Sequence, residues 1–298
     1  MDRDAADALL PTLTAPLLAG GTELIDNRFA RLWKQLGMPA RLRQAGFSKH
    51  SGTAADELVY HLILWIWLKA DSIGMFVRES LQVFCTAQND ALYAALNRED
   101  WNWRRLHQTL ARLAQRKLNA GGRGHAFVLD DSIKTRQGKR MPGVSSHFDH
   151  TTGRHVMEQQ VLTLGLSSEA GFVPLDSELY ISSAKAQALR HPFADGRSVV
   201  AQRYRVAEQQ SKLSMTRAML KRAQRAGFEA EYVLADAWFG NKVMLEIAEQ
   251  ADVIPILRMK TNASQLVNCS GNDFALWTGQ ADTGQKRSGL KTMQASLR

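Results

Sequence analysis

Two short runs of strand-forming apolar residues in this chain end in carboxylates. Phe127-Val128-Leu129 runs into Asp130-Asp131-Ser132, and Tyr232-Val233-Leu234-Ala235 runs into Asp236-Ala237-Trp238. A buried strand that ends in an aspartate delivers an oxygen ligand to the rim of its sheet. Two such ends side by side suit a hard divalent cation, Mg²⁺ or Mn²⁺, which takes one or two carboxylates and keeps several waters. Paired metals held this way stabilise the attacking and leaving oxygens of a phosphodiester. Taken singly, either aspartate reads equally well as a turn or cap residue. Successive strand residues point to opposite faces, so Asp130 and Asp131 cannot both reach one cation. Asp131 is the favoured ligand with Asp236, and Asp130 is the alternative.

Other residues fit the same chemistry. Lys134, Arg136, Lys139 and Arg140 follow the first aspartates within a few positions and could hold the phosphates of a nucleic-acid strand. Trp238 either stacks on an unpaired base or packs under the helix that follows it. His147, His150 and His155 have spacing that zinc could use, but no cysteine lies near them and Gly153 marks a hairpin turn. No glycine-rich phosphate loop or nucleophile elbow is present.

The elements that must position these groups follow from periodicity. The first third reads as helical: residues 22–35, ended by Gly37 and Pro39, then about 53–69, 72–84, 90–96 and 100–118. In the last of these, Arg105, Arg112 and Arg116 fall near one side, as a DNA-facing stripe or a solvated face. After a glycine-rich joint at 119–124 the pattern changes to strands at 127–129, 155–166 and 172–181. A long helix is expected at 206–226, then a strand at 232–235, a helix at 242–250 and a strand at 253–257. Antiparallel strands followed by a right-handed crossover form the order of a ribonuclease-H-like α/β domain. That order sets the first and fourth strands side by side. The expected organisation is a helical region at 1–120 for DNA binding or assembly, an incomplete mixed-sheet catalytic domain with flanking helices at 125–265, and an irregular tail at 266–298.

The 298 residues carry a formal charge of +9, which makes a polyanionic partner such as nucleic acid plausible. Cys85 and Cys269 form no framework, so a reducing cytoplasm is the default. The longest apolar stretch, 58–68, is too short to span a bilayer, and no membrane partner is expected.

Taken together, Val128 to Ser132, Lys139-Arg140-Met141, Gly143-Val144-Ser145 and His147 to His150 resemble the first catalytic block of insertion-sequence DDE transposases of the IS-four type. Residues 160–165 and 172–176 resemble that family's next two strands, and Tyr232 to Phe239 its second block. The resemblance spans roughly residues 25 to 265. It implies a ribonuclease-H-like domain that uses Mg²⁺ and three carboxylates to cut and join DNA at terminal inverted repeats. It also implies a bacterial, nucleoid-associated protein whose full-length relatives form homodimers. Asp131 (or Asp130) and Asp236 would supply two carboxylates.

The family's third carboxylate lies in a Tyr-x₂-Arg-x₃-Glu-x₆-Lys signature that this chain lacks, and Glu246 is the only substitute. The polar tail reads like the out-of-frame ending of a shortened gene. The expectation is therefore a transposase by ancestry that binds DNA and cleaves weakly or not at all. The alternative is a non-catalytic remnant that binds DNA or dimerises in competition with full-length transposase.

Overall fold

A computed structural model describes residues 28–67, 72–78, 87, 89–118, 122–136, 142–149, 153–182, 193–258, 266–269 and 272–275. The chain divides into two compact units, one of residues 1–106 with 198–200, the other of 107–197 with 201–298.

The first unit is helical. A helix at 28–35 (α1) ends at Gly37, whose φ of 60° is left-handed. The next residues begin another helix, α2 (Met38–Gln44). Gly37 and Pro39 do follow the end of α1, and Pro39 also sits in the first turn of α2, where a proline has no N–H to lose. Helices α3 (Ala55–Trp67), α4 (Ile73–Phe76) and α5 (Asn89–Leu96) follow. The expected helix at 72–84 is described only over α4 and the two residues after it; the rest lies outside the described residues. Aromatic contacts fill this unit. Phe47 packs on Trp101 and Trp103 with ring centroids 4.8 Å away in each case, and Tyr60 packs on Phe29 and Trp33. The expectation that α3 is buried on most sides holds for Leu58, Val59, Leu62 and Leu64, but Ile66 is 69% exposed.

Helix α6 (Trp103–Leu118) leads to β1 (Gly122–Thr135), far longer than the expected 127–129. Strands β2 (Ser145–Asp149), β3 (Arg154–Ser168) and β4 (Gly171–Tyr180) follow. β2 was not anticipated: a five-residue strand rich in serine and histidine shows no apolar alternation. The expected single helix at 206–226 is two helices, α7 (Val199–Gln209) and α8 (Lys212–Arg225). The break lies at Ser211, whose extended backbone and side chain cap α8 by accepting from the Ser214 N–H at 3.2 Å. Strand β5 (Ala230–Ala235), α9 (Lys242–Gln250) and β6 (Ile254–Leu257) complete the run. Two further strands, β7 (Leu266–Cys269) and β8 (Asn272–Ala275), pair antiparallel. They correct the expectation of an irregular tail at this point; four-residue strands are too short to show a period.

The main sheet has six strands. β3 pairs antiparallel with β1 on one side and with β2 and β4 on the other, and β1, β5 and β6 are parallel. This mixed order is that of the ribonuclease-H-like fold. Phe127, Leu129, Leu162, Leu164 and Val233 face one side and are sealed by Met215, Met219 and Leu220 of α8 and by Met244, Ile247 and Ala248 of α9.

A buried ionic clamp ties β4 to α8. The Arg222 guanidinium donates to Asp176 at 2.7 Å and to Glu178 at 2.6 Å, and Arg203 donates to the Ser177 carbonyl at 2.9 Å. His107 of α6 lies beside this clamp. Burial holds its pKa below the usual 6.5, against the opposing pull of the Asp176 carboxylate. The folded state therefore resists the proton that the unfolded state accepts. The expected outcome is stability that is full above pH 6.5 and falls as pH drops below it. The slope should stay under about 1.4 kcal/mol per pH unit, the ceiling for linkage to a single proton. Urea denaturation across pH 5–8 should show this slope, and His107→Gln should flatten it.

Candidate active site at the edge of the sheet

The parallel pairing of β1 and β5 places the acidic ends. The register runs Phe127 opposite Val233, Val128 opposite Leu234 and Leu129 opposite Ala235. The next residues are Asp130, within β1, and Asp236, the first residue past β5, so the two acidic positions follow one paired level of adjacent strands. Both aspartates are exposed. Asp236 sits at the start of a tight turn, where its Oδ1 accepts from the Trp238 N–H at 3.0 Å.

Alternation separates the vicinal pair. Leu129 and Phe127 point into the helix-covered core, and Asp131 continues on that face. Its carboxylate accepts from Gln160 Nε2 at 2.9 Å and from the Lys212 ammonium. Asp130 alternates to the other face with Val128, whose neighbour on β5, Leu234, is half-buried.

The other expected site residues fall as follows. Lys134 is exposed on the extended end of β1, not in a loop. Arg136 donates from Nε to Gln159 at 2.8 Å. Lys139 and Arg140 lie outside the described residues. Arg105, Arg112 and Arg116 are exposed on α6, and Arg112 donates to the Ala226 carbonyl at 3.0 Å. The Trp238 ring lies 4.9 Å from that of Phe239, and the residue is 41% exposed. Glu246 is exposed on α9, 4.0 Å from Lys242, while the buried side of that helix joins the core.

Lys212 was missed. A lone lysine in a helical stretch reads as a solvated cation. Here its side chain is 7% exposed, and its Nζ lies 5.0 Å from the Tyr180 ring centroid and 4.6 Å from that of Trp238.

The donor set fits a hard cation of the Mg²⁺ type, which binds through one or two carboxylates. Among the described residues, no group of three His, Cys, Asp or Glu side chains is placed to hold a metal. None of the described helices is long and apolar enough to cross a membrane.

A six-stranded mixed sheet of this order, with Asp130 within its first strand and Asp236 just past the adjacent fifth, defines the ribonuclease-H-like class. A family model described as DDE superfamily endonuclease matches residues 76–271, more than half of the chain, and the protein belongs to that superfamily. No curated protein matches it.

The two vicinal aspartates should separate in stability measurements. Asp131→Ala leaves the buried Lys212 ammonium unpaired and is expected to cost about 3 kcal/mol. Asp130→Ala at the exposed rim should stay within about 0.5 kcal/mol of the parent. Urea denaturation of both variants checks the contrast.

Proposed function

We propose that this protein is an insertion-sequence DNA transposase of the DDE class, of the IS-four type its catalytic blocks resemble. The observation that carries the reading is the register that sets Asp130 level with Asp236 on parallel strands of a DDE superfamily chain.

Asp130, rather than Asp131, serves with Asp236 as the carboxylate pair. It is exposed at the rim, whereas the Asp131 carboxylate is committed to Lys212 and Gln160. Divalent metal held there would supply charge stabilisation for the oxygens of the phosphodiester under attack. Around the pair, Lys134 and Arg136 would hold backbone phosphates near the cut, with Lys139 and Arg140 extending that contact. Arg105, Arg112 and Arg116 would follow the duplex along α6, and Trp238 offers an aromatic surface beside Asp236. The partner is element-end DNA, and the full-length family's dimer is the proposed assembly. The helical region through residue 120 is the proposed DNA-binding and assembly region.

The test is plasmid or element-end cleavage with Mg²⁺ or Mn²⁺. Asp130→Ala and Asp236→Ala should each lower the nicking rate by at least about 100-fold, as loss of a group stabilising transition-state charge does. Filter binding should show DNA affinity that is retained in both variants and falls steeply with salt. DNA binding without cleavage in the parent would favour the non-catalytic reading. Cleavage unaffected by either substitution would contradict the assignment.

A further inference from the structure

Lys212 occupies a position that ordinary stability does not explain. It is the first residue of α8, where the helix dipole disfavours a cation. It is also nearly buried, and burying an ammonium costs several kcal/mol unless it is paired. Its contacts come from three separate elements, β1, β4 and the turn after β5. The Asp131 carboxylate on β1 takes its proton donor, and Gln160 on β3 supports the same carboxylate oxygen. The Tyr180 ring at the end of β4 and the Trp238 ring after β5 lie against its ammonium. Two of these contacts lead to the acidic rim. Asp131 is the backbone neighbour of Asp130. Trp238 is fixed to Asp236 by the hydrogen bond from its backbone N–H, and the Asn241 side chain donates to the Trp238 carbonyl at 3.4 Å.

We infer that Lys212 is a positioning residue for the cation site: it pins the Asp131 carboxylate on the helix-covered face to which alternation assigns it, leaving Asp130 as the neighbour for Asp236, and it seats Trp238 so that the 236–239 turn holds the Asp236 carboxylate. The inference rests on the reading of Asp130 and Asp236 as the metal ligands. Lys212 itself touches neither metal nor DNA in this arrangement. Without its charge, the Asp131 carboxylate loses the counterion it has among the described residues, and the Trp238 ring loses the cation against it. Both changes loosen the geometry of the ligand pair.

Mn²⁺ binding to the full chain, followed by the electron paramagnetic resonance of free Mn²⁺ without DNA, reads this directly. Lys212→Met should weaken Mn²⁺ affinity about tenfold, the effect expected of a group that orients a ligand without touching the metal. Lys212→Arg, which keeps the charge, should recover most of that loss. Far-UV circular dichroism establishes that each variant is folded. Folded Lys212→Met that binds Mn²⁺ like the parent overturns the inference, as does an arginine variant no better than methionine. Should Lys212→Met fail to fold, Trp238→Leu decides: weakened Mn²⁺ binding supports the role and unchanged binding overturns it. Asp130→Ala and Asp236→Ala measured alongside separate the two levels. If neither weakens Mn²⁺ binding, the site reading falls and the role of Lys212 with it; if both do and Lys212→Met does not, only the role of Lys212 falls.

Discussion

The site depends on one pairing, the parallel ladder between β1 and β5. These strands are far apart in sequence, and only the crossover through α7 and α8 returns the chain to lie beside β1 in the same direction. A parallel ladder joins residues at one level, so the register Leu129 to Ala235 carries forward to Asp130 and Asp236. A slip of one residue would move every side chain of β5 to the other face. The core prevents that slip. Phe127, Leu129 and Val233 are buried against α8 and α9, and a slipped strand would put Leu234 in the place of Val233. Packing on the covered face thus specifies the chemistry of the rim.

The vicinal aspartates show how alternation and charge act together. Alternation alone assigns Asp131 to the covered face, where a lone carboxylate would be costly. Lys212 supplies the counter-charge, and it can do so because α7 and α8 are separate helices. The extended residue Ser211 ends one and caps the other, so α8 begins with its first residue over the edge of the sheet. A continuous helix through 206–226 would have no such start. The cap, the ion pair and the two aromatic rings therefore form one arrangement linking the core to the rim.

Much of this was readable before any coordinates. Apolar runs ending in aspartates, and the order of strands and helices, pointed to the sheet and to the meeting of its first and fourth expected strands. The choice between Asp130 and Asp131 was not, because adjacent residues differ only in face, and face is set by register with a distant strand. Lys212 was hidden for a related reason: burial of a lysine is a tertiary property, and its partners come from β1, β4 and the turn after β5. The helix that begins at Met38 was not readable, because proline both ends and begins helices. β2 carried no alternating pattern, since Phe148 is the one large apolar residue among its five.

Disulfide trapping measures the central claim most directly. With Cys85 and Cys269 replaced by serine, cysteines are placed at 130 and 236 in one variant and at 131 and 236 in another. Disulfides need α-carbons about 4.4–6.8 Å apart and side chains on one face. Rapid oxidation of the 130/236 pair, with the 131/236 pair staying reduced, is the result this account requires. Preferential closure of 131/236, or closure of neither, would contradict it.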